Sequence, residues 1–231
     1  MRAVVAFVSQ KGGVGKSTLA RSLGVVAAQA GHNVKIADLD GLQQTLVRWT
    51  QTREAYGISP SLRAETYADT GDACAASVGA DLLVLDTPGK VNELMHVVQR
   101  ANLLVLPTSP SLDDLYPSVL VCEALQNVGI TRDCLAFALS RVLSEREGES
   151  ARTFLVAQGY TVLAGHLYEH LAYREALNAG RGLTETQDEH LNRSAQLVMN
   201  DVLQRVGLYR DGMSPIQALN FRNIRSAPSA S

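Results

Sequence analysis

The sequence predicts an α/β fold with a doubly wound, mostly parallel sheet that carries helices on both faces. Three observations predict it: short apolar runs alternate with longer helical stretches, a glycine-rich loop joins the first run to the first helical stretch, and two of the runs have aspartates at their ends. Continuous apolar runs are typical of strands that are buried on both faces. Ligands of such folds bind at the carboxyl ends of the strands.

Each predicted strand is short, rich in Val, Leu, Ile or Ala, and free of polar alternation. The predicted strands are Ala3–Ser9, Asn33–Leu39, Asp81–Asp86, Leu103–Pro107 and Cys134–Ser140. The intervening stretches have helical patterns, and Gly31 and Gly129 stand where two of these helices would end. The predicted helices are Lys16–Ala30, Leu42–Glu54, Tyr67–Val78, Val91–Gln99, Leu112–Asn127, Glu149–Gln158 and the amphipathic Glu189–Val206.

The chain has 231 residues, enough for one sizeable domain, which we expect over residues 1–207. Residues 208–231 are rich in Ser, Pro, Asn and Arg, and we expect a loosely ordered tail there. The formal net charge is −2, so contact with nucleic acid or membrane requires a local basic patch. The scattered cysteines, with no recognisable signal peptide or membrane span, favour a cytoplasmic location.

Residues 9–18, with the sequence SQKGGVGKST, follow a predicted strand and open a predicted helix. Glycines let backbone N–H groups turn toward an anion, and the helix N-terminus adds partial positive charge. Lys16 can reach the β- and γ-phosphates of a nucleotide, and the Ser17 hydroxyl can coordinate Mg²⁺. The GTPase specificity motif N-K-x-D is absent from the sequence, so ATP is the predicted nucleotide. The predicted nucleotide-binding residues of this loop are Lys11, Gly12, Gly13, Val14, Gly15, Lys16, Ser17 and Thr18.

Acidic residues end two of the predicted strands. Asp38 and Asp40 are two positions apart on an extended segment, so their side chains point to the same side. A like-charge pair is costly without a nearby cation, which favours a role toward Mg²⁺. Asp86 ends the run Leu82–Asp86, a pattern typical of a strand whose carboxylate binds Mg²⁺ through water. The predicted metal-site residues are therefore Ser17, Asp38 and Asp86, whereas Asp40 could instead cap the helix that follows it.

One departure from the usual phosphate-loop pattern is informative. Gln10 stands where that pattern has its first glycine, and a second lysine, Lys11, follows it. The run K-G-G-V-G-K-S-T resembles the deviant phosphate loop of the ParA/MinD family of ATPases, and the chain is most similar to a short ParA partition ATPase. The resemblance covers most of residues 1–207, with its specific motifs before about residue 115.

The resemblance implies that ATP joins two identical subunits and that Lys11 contacts phosphates bound by the partner subunit. An added cation there would neutralise charge on the transferred phosphoryl group. The resemblance also implies that Asp40 orients or activates the attacking water, so Lys11, Lys16 and Asp40 would be catalytic. A solvated loop charge is the alternative interpretation for Lys11.

Base recognition is implied near Pro107 and Arg141. Pro107 belongs to a segment that is similar to the family segment after the fourth strand, and Arg141 could stack on the base. Relatives often carry Asn-Arg where this chain has Ser140-Arg141, so a surface arginine remains the alternative for Arg141.

In ParA-type relatives the dimer binds DNA non-specifically, and a centromere-binding, ParB-like partner stimulates ATP hydrolysis. Arg174, together with the run Gly182–Glu185, resembles a region that is common in these proteins. Arginine clusters can bind DNA phosphates without sequence specificity, although each of these arginines could also be an ordinary surface charge. The candidate DNA contacts are Arg193, Arg205, Arg210, Arg222 and Arg225.

Two other functions remain open from the sequence. A MinD-like protein would sit on a membrane through an amphipathic C-terminal helix, of which Ile216, Leu219, Phe221 and Ile224 give a faint version. A metabolic enzyme on the same scaffold, such as an ATP-dependent ligase or a small-molecule kinase, would need a substrate pocket and often an arginine-rich lid. The sequence has no convincing lid motif.

Overall fold

The central feature of the structure is a parallel sheet. The structure is a computed structural model that describes residues 1–41, 43–88, 97 and 99–209. Its strands are β1 (Ala3–Phe7), β2 (Val34–Asp38), β3 (Ala64–Thr66), β4 (Leu82–Asp86), β5 (Leu103–Thr108) and β6 (Leu135–Leu139). They lie in the order β3-β2-β4-β1-β5-β6, and each neighbouring pair is parallel. The predicted fold class is therefore confirmed.

Helices cover both faces of this sheet, and each face has its own apolar core. The helices on the first face are α1 (Lys16–Gln29), α2 (Thr45–Ala55), α6 (Leu171–Asn178) and α7 (Glu189–Arg205). Those on the second face are α3 (Thr70–Ala75), α4 (Leu112–Asn127) and α5 (Glu145–Ala157). Side chains alternate along a strand, so Val5 and Phe7 of β1 enter the first core, whereas Val4 and Ala6 enter the second. This two-sided burial explains why the strands read as continuous apolar runs.

The structure contains one strand that the sequence reasoning missed. The short strand β3 has exposed side chains at Glu65 and Thr66 and pairs with residues 36–38 of β2 at the sheet edge. An edge strand of this kind is not buried on both faces, so it lacks the apolar run by which the other strands were recognised.

Three helices differ from their predicted bounds because side-chain caps or turns fix their starts. α2 begins at Thr45 rather than Leu42, because Gln44 has a left-handed backbone (φ 49°) and precedes the helix. α5 begins four residues before Glu149, because Ser144 caps it by accepting a hydrogen bond from the N–H of Glu147. α3 is shorter than the predicted Tyr67–Val78, and the Asp69 side chain caps its first turn.

Two predictions fall wholly or mainly outside the described residues. Of the predicted helix Val91–Gln99, only residues 97 and 99 are described. Of the predicted tail, residues 210–231 lie outside, whereas Leu208 is buried and its carbonyl accepts a hydrogen bond from His32 Nε2 at 2.6 Å. Among the described residues, none of the helices has the length and apolar character needed to cross a bilayer.

A fully buried arginine joins α2 to the segment before α7. All five N–H groups of the Arg53 guanidinium donate: to the carbonyls of Ser59, Pro60 and Gly180, and to both carboxylate oxygens of Glu185 at 2.7 and 3.0 Å. The Arg53 side chain is 1% exposed and that of Glu185 is 11% exposed. A buried charge pair of this kind is strongly destabilising when only one partner is removed, because the other charge is left uncompensated.

We therefore expect Arg53→Met to lower the free energy of unfolding by about 3–5 kcal/mol, because Glu185 loses its buried counter-charge. Urea denaturation would measure the loss. The matched control is Arg193→Met, which breaks an exposed pair with Glu189 on α7 and should change stability by no more than about 0.5 kcal/mol. Equal effects of the two substitutions would contradict the structural role given to Arg53.

Candidate nucleotide-binding site

A cavity of about 300 Å³ opens at the carboxyl ends of β1, β4 and β2. The strand register aligns these ends, because Phe7 of β1 and Asp38 of β2 both pair with Asp86 of β4. The fold thus brings the predicted phosphate loop and the predicted carboxylates together. The lining residues are Gly12, Gly13, Gly15, Lys16, Ser17, Thr18, Asp38, Asp40, Gln43, Thr45, Asp86, Thr87 and Pro88.

The loop between β1 and α1 has the backbone geometry of an anion site. Gly13 and Gly15 adopt left-handed conformations with φ values of 75° and 104°, which residues with a side chain rarely adopt. α1 begins directly after Gly15, with no side-chain cap and no acidic residue in its first turn. The positive end of the helix is thus offered to the cavity, which favours a phosphate group.

Lys16 lines the cavity, and a hydrogen bond within the loop holds its ammonium group. Its Nζ lies 3.5 Å from the carbonyl oxygen of Lys11 and donates to it. Burial lowers the pKa of Lys16, while the nearby carboxylates of Asp86 and Asp40 raise it. A half-buried ammonium group between a glycine loop and two carboxylates is well placed to bind a phosphate oxygen.

Asp86 is a buried carboxylate of the cavity that is incompletely hydrogen-bonded. It is 3% exposed, and its Oδ1 has no hydrogen-bond partner among the residues that the structure describes. Burial raises its pKa to about 6, whereas a hydrogen bond from Ser17 lowers it. An orphaned carboxylate oxygen beside a serine hydroxyl fits a bound Mg²⁺, which takes oxygen ligands and usually keeps several waters.

Asp38 and Asp40 shape the loop between β2 and α2. The buried Asp38 carboxylate accepts hydrogen bonds from the backbone N–H groups of Asp40 and Leu46, each at 3.0 Å. Burial raises the pKa of Asp38, and these backbone bonds lower it. Asp40 accepts from the N–H of Gln43 at 3.2 Å and lines the cavity. Asp38 therefore organises the loop as well as contributing charge, and Asp40 is positioned at its turn.

Lys11 is turned away from the cavity of its own subunit. Its ammonium group pairs with the carboxylate of Asp114 in the first turn of α4, and Asp114 also accepts from the Ser109 hydroxyl. These two hydrogen bonds lower the pKa of Asp114. Lys11 is not among the residues that line the cavity, although its backbone belongs to the loop.

A second cavity, of about 260 Å³, adjoins the other side of the phosphate loop. Arg141 lines it with a left-handed backbone, and its Nε donates to Glu169 at 2.8 Å. Ser140 binds the loop itself, because its hydroxyl donates to the carbonyl of Val14 at 2.9 Å. Pro107 is buried inside β5 opposite Ala138 and lines neither cavity. The structure thus places Arg141, but not Pro107, in the cavity beside the phosphate loop.

The candidate DNA contacts that are described already have carboxylate partners. Arg205 pairs with Asp201 at 3.0 Å, and Arg193 lies 3.6 Å from Glu189. Both arginines line a groove of about 940 Å³ between α5 and α7. The other candidates, Arg210, Arg222 and Arg225, lie outside the described residues, as does the apolar pattern from Ile216 to Ile224.

Sequence reasoning missed several residues that complete the site. Thr87 donates to the carbonyl of Phe7 at 2.7 Å and so ties the end of β4 to the end of β1. Thr45 lines the cavity, and Arg21 of α1 donates to its carbonyl at 3.2 Å. In the sequence, Asp114 resembles an ordinary acidic residue of a first helical turn. Their roles depend on contacts between distant segments, which no local pattern signals.

The raised pKa of Asp86 leads to a stability prediction. Because the pKa is about 6 in the folded protein and 3.8 is the ordinary value, folding penalises the ionised form. The penalty is absent below about pH 4 and complete above about pH 6–7. We expect Asp86→Asn to raise the free energy of unfolding at pH 8 in EDTA by about 1–3 kcal/mol, with little change at pH 4.

Urea denaturation at the two pH values would measure this difference. Asp113→Asn is the matched control, because Asp113 lies exposed at the start of α4 and should show no such pH-dependent gain. A gain for Asp86→Asn that is the same at both pH values would contradict the assignment.

The family model described as the CobQ/CobB/MinD/ParA nucleotide binding domain matches residues 5–183. No curated protein sequence matches the chain significantly.

Solved structures share the fold at low sequence identity. A putative plasmid partition protein from Borrelia burgdorferi, bound to AMPPNP, has a TM-score of 0.69 and 14% identity over 89% of this chain and 100% of its own. The septum site-determining protein MinD from Pyrococcus horikoshii, complexed with Mg-ADP, has a TM-score of 0.70 and 18% identity over 91% and 100%. The ATP complex of a single-residue variant of McdA from Cyanothece has a TM-score of 0.63 and 17% identity over 91% of this chain and 98% of its own.

The glycine loop, the two lysines and the carboxylates at the strand ends lie within the matched residues, as does every residue that lines the first cavity. The chain belongs to the CobQ/CobB/MinD/ParA nucleotide-binding family.

Proposed function

We propose that this protein is a ParA-like partition or positioning ATPase that binds ATP and Mg²⁺ in the cavity at the ends of β1, β4 and β2. The observation that carries the proposal is the convergence of the phosphate loop, Ser17 and the carboxylates of Asp38, Asp40 and Asp86 in one cavity. Relatives with this fold were solved with AMPPNP, Mg-ADP and ATP, which supports the choice of ligand.

The chain's own residues have separable roles in this proposal. The backbone N–H groups of the loop and the ammonium group of Lys16 bind the phosphates, because both present positive charge to the cavity. Ser17, Asp86 and, more remotely, Asp38 would hold Mg²⁺. The metal ion would supply positive charge to the phosphate oxygens. Asp40 orients the attacking water by accepting a hydrogen bond from it.

Lys11 is the residue that connects the proposed site with dimerisation. In the single subunit it is held by Asp114, outside the cavity. Half of the Lys11 side chain is exposed, so its ammonium group is accessible to another molecule, whereas the Asp114 side chain is only 10% exposed and also accepts a hydrogen bond from the Ser109 hydroxyl. We propose that in an ATP-bound homodimer Lys11 contacts the phosphates of the partner subunit. ATP would then be part of the subunit interface.

The proposed dimer binds DNA non-specifically and works in the cytoplasm on the nucleoid. A ParB-like partner would stimulate hydrolysis and thereby release the DNA. Arg193 and Arg205 lie on the same helix, α7, and line the same groove, which supports a shared phosphate-binding surface. Their carboxylate partners compete with DNA for these arginines, so we expect weak, salt-sensitive binding.

The main test is light scattering of the intact protein with and without Mg-ATP, followed by DNA retention at two salt concentrations. We expect a doubling of mass with Mg-ATP, and DNA retention that falls at least about tenfold between roughly 50 and 200 mM salt. Lys16→Ala should lose nucleotide binding, dimerisation and DNA retention together. Lys35→Ala should keep all three, because Lys35 is a partly buried lysine of β2 that pairs with Glu65 and does not line the cavity. A wild-type protein that stays monomeric, or that binds vesicles instead of DNA, would contradict the proposal.

The cross-subunit role of Lys11 has its own test. We expect Lys11→Ala to keep nucleotide binding, because its side chain does not line the cavity, but to lose ATP-dependent dimerisation. Calorimetry would measure binding and light scattering would measure mass, with Lys35→Ala as control. Unchanged dimerisation of Lys11→Ala would show that this lysine does not act across the interface.

A further inference from the structure

Arg21 lies on α1 one helical turn beyond Ser17, so the two side chains occupy the same face of the helix. Its guanidinium is largely buried between α1 and α2. Nη2 donates to the carbonyl of Thr45, the first residue of α2, at 3.2 Å. Nε is buried and has no hydrogen-bond partner among the described residues. Arg21 is therefore an incompletely bonded cation beside the proposed metal site.

Two carboxylates of the metal site attract this cation. Burial lowers the pKa of Arg21, while Asp86 and then Asp38 raise it. Among the described residues Arg21 forms no direct ion pair with either carboxylate, so the attraction acts through space. The positive charge of Arg21 offsets part of the repulsion between the Asp38 and Asp86 carboxylates.

The same guanidinium contacts an aromatic ring of α2. Its central carbon lies 5.9 Å from the ring centroid of Trp49, within cation–π range. The ring is fixed from other directions, because its Nε1 donates to the carbonyl of Arg181 at 3.1 Å and Arg53 lies 5.8 Å from its centroid. Trp49 is buried, and it is the single tryptophan of the chain. A change in Arg21 would therefore alter the surroundings of one immobilised fluorophore.

We propose that Arg21 is a positioning residue that couples the charge in the metal site to the start of α2 through Thr45 and Trp49. The guanidinium contacts Thr45 and Trp49 while Asp86 and Asp38 attract it from the metal site. A divalent cation at the two carboxylates would repel the guanidinium and weaken that attraction, and so would strengthen the relative weight of the contacts with Thr45 and Trp49. The loop that carries Asp40 ends at Thr45, so this contact also sets where that loop joins α2.

The inference rests on the proposed Mg-nucleotide site. It predicts an effect on Mg²⁺ binding that a purely structural role of Arg21 between α1 and α2 would not produce. Arg21 competes electrostatically with the metal ion for the same carboxylates. Removing its charge should therefore strengthen Mg²⁺ binding, whereas damage to the site would weaken it. For one unit charge near a divalent ion at a partly buried site, we expect about a three- to tenfold gain in apparent affinity.

The test uses the intact protein with ADP and a titration of Mg²⁺, so that no hydrolysis occurs. Calorimetry follows binding and tryptophan emission follows Trp49. In the wild type we expect emission to change as Mg²⁺ binds. In Arg21→Met we expect Mg²⁺ to bind three- to tenfold more tightly and at least half of the emission change to disappear. Arg21→Lys keeps the charge and should keep the wild-type Mg²⁺ affinity.

Arg48→Met is the matched control, because Arg48 is an exposed arginine of α2 near Arg21 and should leave both readouts unchanged. If Arg21→Met does not fold, Arg21→Gln replaces it with the same expectation. Unchanged or weaker Mg²⁺ binding by the neutral variants, or an undiminished emission change, would overturn the inference. Absence of Mg-nucleotide binding in the wild type would instead overturn the proposed function. Binding without any wild-type emission change would overturn the inference and leave the proposed function standing.

Discussion

Two buried carboxylates on neighbouring parallel strands are the constraint on which the rest of this site depends. Asp38 and Asp86 are paired in the register of β2 and β4, and both are almost fully shielded from water. Buried like charges are unfavourable unless hydrogen bonds or cations compensate them. Much of the surrounding structure can be understood as that compensation.

The two carboxylates are compensated in different ways. Asp38 is satisfied within the chain, because the turn before α2 wraps backbone N–H groups around its oxygens. Asp86 receives a hydrogen bond from Ser17 and attraction from Lys16 and Arg21, yet one oxygen keeps no described partner. The first carboxylate is therefore mainly a structural organiser of the loop, and the second is poised for a metal ion. This difference explains how one edge of the sheet can be both rigid and ready to bind.

Lys11 and Arg21 are two cations near the site whose side chains lie in opposite directions. Lys11 points away from the cavity and pairs with Asp114. Arg21 points inward, between the metal-site carboxylates and Trp49. In the proposed function the nucleotide is thus sensed twice, by a lysine directed toward a second subunit and by an arginine directed toward α2. The buried pair of Arg53 and Glu185 joins α2 to the segment before α7. The helix α7 itself carries the candidate DNA contacts that are described.

The sequence by itself determined the fold class, the main strands and the phosphate loop. These features have local signatures: strands buried on both faces require continuous apolar runs, and a phosphate loop requires glycines and a lysine at fixed spacing. Asp38 and Asp86 were also recognisable, because each ends such a run. Only the tertiary structure decided that Asp38 organises a loop, that Lys11 pairs with Asp114, and that Arg21 lies against Trp49. These contacts join segments far apart in the chain, and their energies depend on burial and distance, which the order of residues does not display.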